Sequence, residues 1–129
     1  MVRVILGGLI GAVVWLAVIT GMSFALREVS PALAAALNAH TTVIALWGRL
    51  AISFLGSLLG GLVAALVSNE STRAPLGAGV VLLLLFVPYH LFGRDAGGPI
   101  WTHYPLWYHL TFFASLVLLS VLGGRLRRA

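Results

Sequence analysis

The chain has 129 residues, 60% of them hydrophobic and only 9% charged, with a mean hydropathy of +1.07. A soluble domain carries about 25% charged residues to solvate its surface, so this composition excludes an ordinary soluble fold and calls for contact with lipid. The formal net charge of +5 does not point to nucleic acid. Apart from Arg125, Arg127 and Arg128, the arginines stand singly at the ends of apolar runs, whereas nucleic-acid binders cluster them on one face among aromatics. Cysteine is absent, which excludes disulfides and thiolate ligands. A spanning helix takes about 20 residues, so the chain has room for about four or five crossings and no separate soluble domain. Residues 1–129 are therefore read as a single membrane domain. Arginine without lysine, amid abundant Ala, Gly, Leu and Val, hints at a GC-rich bacterial genome.

Val4 to Leu26 is free of charge and, at 1.5 Å per residue, reaches about 34 Å, enough to span. A signal peptide is the competing reading, with Arg3 as its n-region and Ser23-Phe24-Ala25 as a cleavage site. A signal core is typically about 7–15 residues, and this run exceeds that, so a retained helix is expected. Gly7 and Gly11 form a GxxxG pair that admits a close neighbour. Arg27-Glu28 ends the run, and Ser30-Pro31 reads as an N-cap with proline at the first helical position. Ala32 to Ala39 is then a short helix, lying at the interface or extending the next crossing.

Residues 50–67 form the expected second crossing, and 27–49 an outer loop. Ser53, Ser57, Gly61 and Ala65 recur every fourth residue, beside a second row at Gly56, Gly60 and Ala64, which predicts a closely packed helix. The third crossing is expected over 76–92 after a polar turn at 68–75, with Pro88 near its end freeing a carbonyl. Residues 93–105 form a second outer loop, with a turn at Gly93 to Pro99. Pro105 opens a fourth crossing over 106–122, which Gly123-Gly124 and the arginines terminate. The expected fold is all-α, a polytopic bundle of four antiparallel transmembrane helices. Its two termini share one side with Arg3, Arg73, Arg125, Arg127 and Arg128, against Arg27, Arg94 and Arg49 opposite. The positive-inside rule then places both termini in the cytoplasm, here of a bacterial inner membrane.

Candidate chemistry concentrates between Phe86 and His109. Tyr89-His90 closes the third crossing and Tyr108-His109 opens the fourth, so both pairs lie near the same outer surface on neighbouring helices. His90 and His109 can approach there, with His40 and His103 in the flanking loops. Imidazoles on separate helices can ligate haem iron or a transition metal, although no HxxH or HxxxH spacing is present. The plainer reading is hydrogen bonding at headgroup level, with no cofactor. Trp47, Tyr89, Trp101, Tyr104, Trp107 and Tyr108 fit an interfacial aromatic belt, or else a surface for a lipid headgroup, a quinone or a partner helix. His109, Phe113, Leu116 and Ser120 share one helical stripe. Arg49, beside the small-residue crossing, either snorkels to headgroups or pairs with Asp95 across the outer loop.

Size and helix count resemble those of the small multidrug resistance transporters. The glutamate that defines their first helix has no counterpart between Val4 and Leu26, and no crossing holds Asp, Glu or Lys in its apolar core. No nucleophile motif, zinc-protease motif or phosphate loop occurs. The expectation is a non-catalytic membrane subunit or accessory, with lipid and either itself or another membrane protein as partners. A haem-, metal- or quinone-binding protein is the first alternative, and an oligomeric carrier or channel the second.

Overall fold

The computed structural model describes residues 1–39, 42–95 and 97–128. The chain is all-α: α1 (Val2–Val29), α2 (Pro31–Asn38), α3 (Val43–Ser68), α4 (Arg73–Phe92), α5 (Ile100–His103) and α6 (Leu106–Leu126). Two-residue strands β1 (Arg94–Asp95) and β2 (Gly98–Pro99) pair between α4 and α5. Four helices, α1, α3, α4 and α6, are long and apolar enough to cross a membrane.

The long helices extend beyond the expected spans: α1 covers Val2–Val29 against 4–26, α4 starts at Arg73 against 76, and the largest differences are at the start of α3 and the end of α6. The second long helix begins at Val43 rather than at residue 50, because Thr42 caps it by accepting the Ala45 N–H at 3.1 Å. Arg49 therefore sits in the second turn of α3, about 9 Å along the helix from Val43. What was read as an outer loop over 27–49 is largely helix, including α2, whose Ser30 cap accepts from Leu33 N at 3.4 Å. The fourth crossing likewise runs past residue 122 to Leu126. Gly123 and Gly124 lie inside it because α6 presses there against other helices, not because the helix ends. Residues 93–105, read as loop, also contain the single turn of α5.

Around the bundle α1 packs on α3 and α4, and α6 packs on the same two from the other side. Small residues set these distances. A methyl group on Gly7 would stand 2.7 Å from the Ala64 carbonyl oxygen, and one on Gly11 2.6 Å from that of Gly60. Numbers rise on α1 as they fall on α3, so the two helices are antiparallel. A methyl on Gly61 would collide with the Ser120 backbone, and one on Gly79 would lie 2.7 Å from the Leu116 carbonyl oxygen. Ser53, Ser57, Gly61 and Ala65 are all buried on α3, as Gly7 and Gly11 are on α1. The buried Trp15 indole adds a bond across this seam, donating to Ser57 Oγ at 3.2 Å.

The turn between α3 and α4 begins with Asn69 in the left-handed conformation (φ 58°). Glu70 then caps α4, its carboxylate accepting from the backbone N–H groups of Thr72, Arg73 and Ala74. Burial would raise the Glu70 carboxyl. The N–H groups of Ala74, Arg73 and Thr72, joined by the Arg73 guanidinium, outweigh that and hold it below its ordinary value.

Two predictions follow from this packing. Gly11→Val and Gly61→Val should each destabilise the protein by about 1–3 kcal/mol, the cost of overpacking, in detergent unfolding followed by circular dichroism. Gly21→Ala, with nothing within 4 Å of the added carbon, serves as control and should be neutral or stabilising by up to ~1 kcal/mol. Glu70→Gln should cost about 1 kcal/mol at neutral pH, as loss of a helix cap does. Because the folded-state carboxyl is depressed, its contribution is complete above the unfolded value of 4.5 and disappears as pH falls through the lower folded value. The difference between wild type and Glu70→Gln should therefore close in acid.

Candidate functional site

The end of the bundle opposite the termini holds the polar cluster, and the short β1–β2 hairpin assembles it. Arg94 faces Pro99 and Asp95 faces Gly98 across the ladder. Gly98 takes φ +112°, a conformation that favours glycine. The Ile100 N–H then donates to the Gly93 carbonyl at 3.1 Å, which folds α5 back against α4. Its Trp101 ring stacks on His109 at 4.5 Å between centroids.

This fold-back gives the two helical histidines a defined relation. His109 is fully buried and His90 is 6% exposed. Their Nδ1 atoms are 2.7 Å apart, and His109 Nε2 is 3.2 Å from the Trp101 carbonyl oxygen. A carbonyl only accepts, so His109 Nε2 carries a hydrogen and donates it. With both rings neutral, His109 Nδ1 is then a bare acceptor and His90 Nδ1–H donates to it. By the same count His90 Nε2 has no hydrogen, and it has no hydrogen-bond partner among the described residues. Tautomers assigned in this way follow from the bonding partners. The 2.7 Å separation is that of a hydrogen bond, whereas two imidazoles on one tetrahedral metal stand about 3.3 Å apart. Among the described residues no group of three or more His, Asp or Glu side chains gathers as a metal site.

Tyr104 sits beside this pair and links Arg49 to Asp95. The Arg49 guanidinium lies over the Tyr104 ring, 5.6 Å from its centroid, and the phenol donates to Asp95 Oδ2 at 3.1 Å. Burial, with the hydrogen bond and charge of Asp95, raises the Tyr104 phenol well above its usual range against the opposing pull of Arg49. It therefore remains a neutral donor. Tyr108 is buried and stacks on Tyr104 at 4.9 Å. Trp47 and Tyr89 are about half exposed. His103 is exposed on α5, and His40 lies outside the described residues.

These side chains line two pockets that share six residues, an apolar lobe and a more polar one. The apolar lobe, about 270 Å³, is walled by Trp15, Ile19, Phe86 and Phe112. Phe112 packs edge to face on Trp15 and on Phe86, and Trp15 and Phe86 are tilted, with centroids 5.0–6.2 Å apart. The polar lobe, about 290 Å³, is walled by Asp95 and Tyr104. Arg27, Asn38, Arg49, Tyr89, His90 and Tyr108 border both lobes, with α2 as one side. Each lobe lies near the lower end of ligand-pocket volumes, ~300 Å³. Ser53 lines the apolar lobe, and its buried Oγ has no hydrogen-bond partner among the described residues.

His90, His109, Tyr89, Tyr108, Arg49 and Asp95 thus fall at one end of the bundle. Sequence reasoning passed over Arg27, Asn38, Trp15 and Phe112. Arg27 read as an orienting charge, and α2 gave no sign that it forms a wall. One usable signal was Trp15 itself, a tryptophan in the middle of a crossing, where a belt has no use for it. No protein-family model, curated protein or solved structure matches the chain.

The bonding pattern predicts that ¹⁵N spectra of histidine-labelled protein in detergent will show two buried neutral rings. The ring of His109 should carry its hydrogen on Nε2 and that of His90 on Nδ1. His109→Ala should remove the second signature and cost about 1–3 kcal/mol, since it strands the Trp101 carbonyl.

Proposed function

We propose that this chain is a non-catalytic integral membrane protein that binds an amphiphile in the two-lobed cavity. The head of the ligand lies among Arg27, Asn38, Arg49 and His90, and its tail lies on the aromatic wall of Trp15, Phe86 and Phe112. The observation that carries this reading is a pair of pockets, one mainly apolar and one more polar, that share Arg27 and Arg49 among their lining residues. An apolar pocket with a few convergent polar groups is the usual form of a small-ligand site.

The arginine count supports an orientation in which both termini face the cytoplasm. Arg3, Arg73, Arg125, Arg127 and Arg128 lie at the terminal end, and Arg27, Arg49 and Arg94 at the cavity end. The ligand then enters from the outer leaflet. In a bacterial cytoplasmic membrane such a protein serves as a small subunit or accessory, holding a lipid or quinone beside itself or another membrane protein.

The test is extraction of the protein purified in mild detergent, with mass spectrometry of what it retains. Ile19→Trp, which fills the apolar lobe, should lower the retained amphiphile several-fold. Leu118→Trp, on an exposed face of α6, should not. Equal retention by wild type and Ile19→Trp would place the amphiphile elsewhere and end this reading.

A further inference from the structure

The cavity's polar groups narrow the ligand, on the premise that the cavity binds an amphiphile. Three polar groups border it. His90, only 6% exposed, lines both lobes, and because its Nδ1–H is committed to His109 its Nε2 is left without a hydrogen. Ser53, 3% exposed, has a hydroxyl without a partner among the described residues. Arg27 is exposed at the border and makes no hydrogen bond or ion pair among the described residues.

These groups ask for different things. A bare imidazole nitrogen needs a donor, and a quinone or an ester carbonyl offers none. A guanidinium without a carboxylate favours an anion, most of all an oxyanion that it can grip with two N–H groups. A neutral quinol would satisfy His90 and leave Arg27 without an anion. An anionic headgroup lacking a hydroxyl would do the reverse. Leaving a buried polar group unpaired is what gives a site its selectivity.

We infer that the cavity selects a lipid whose head carries a phosphate diester and a free hydroxyl, the chemistry of a phosphoglycerol headgroup. The phosphate lies against Arg27, with Arg49 and its Tyr104 and Asp95 neighbours forming the far wall. The hydroxyl donates to His90 Nε2, and the acyl chain passes over Ser53 onto Trp15, Phe86 and Phe112. Trp101 acts from behind as a positioning residue. Its backbone carbonyl holds the His109 tautomer, which in turn keeps the hydrogen off His90 Nε2.

Native mass spectrometry of the full chain in detergent tests this, by titration with lipids of identical acyl chains. Phosphatidylglycerol should bind roughly three- to tenfold more tightly than phosphatidylmethanol, which has the same charge and no hydroxyl; that is the worth of one net hydrogen bond. Phosphatidylmethanol should in turn exceed phosphatidylcholine. His90→Phe should abolish the first preference and keep the second, whereas Arg27→Gln should abolish the second and keep the first. Equal binding of phosphatidylglycerol and phosphatidylmethanol by wild type overturns the inference whatever the variants do, as does a quinol that displaces phosphatidylglycerol. If all these lipids bind equally, the inference fails while amphiphile binding stands. If none binds, the cavity reading itself fails.

Discussion

Helices surrounded by hydrocarbon gain little from burying more hydrocarbon, because lipid is as apolar as leucine. What holds them together is the closeness of approach, and here that closeness rests on Gly7, Gly11, Gly60, Gly61 and Gly79. At each of these positions a neighbouring helix backbone occupies the space a side chain would need. Dispersion contacts are individually small but fall off steeply with distance, so a shift of one methyl group forfeits much of the attraction. The arrangement of α1, α3, α4 and α6 depends on that row of absent side chains.

The close approaches are not spread evenly along the bundle. Gly7, Gly11, Gly60, Gly61, Gly79, Gly123 and Gly124 all lie toward the terminal end, and Gly21, toward the other end, has nothing within 4 Å. At that other end the same helices carry Trp15, Phe86, Phe112, Tyr104 and Tyr108. Helices with rings between them stand farther apart than helices that touch through glycine. The pockets lie at the end that carries these rings. The sequence pattern that fixes the fold therefore also positions the site. The hairpin and α2 complete it, one bringing Trp101 over His109 and the other adding the wall with Asn38.

Much of this was legible in the chain, and the remainder was hidden for definite reasons. Apolar runs gave the four long helices, and the repeated small residues marked the face of α3 that is buried. The start of α3 was misplaced because Arg49 read as a boundary, although a long side chain can remain within a helix while its charge lies over Tyr104. Gly123-Gly124 read as a stop for a similar reason, since glycine both ends helices and lets them touch. The Tyr89-His90 and Tyr108-His109 echo anticipated that the two histidines meet at one end of the bundle. It could not specify which nitrogens face each other, because that depends on how a seven-residue turn folds α5 back. The cavity left no local trace at all. It is lined by residues from six helices, and no spacing within one segment records it.

The histidine pair is hard to explain as a stabilising device. A buried hydrogen-bonded pair contributes about 0.5–1.5 kcal/mol net, and replacing both partners by apolar groups of similar shape is often neutral. Phenylalanine at 90 and 109 would continue the aromatic packing of Phe112 and Phe113, which already stack around both rings. Such a core would need no carbonyl from Trp101 and would leave no nitrogen without a partner. The imidazoles add one thing to that alternative, a lone pair held in a fixed direction at the border of a cavity. Nothing in the packing of the bundle requires it. Such a lone pair accepts a hydrogen bond from whatever donor reaches it.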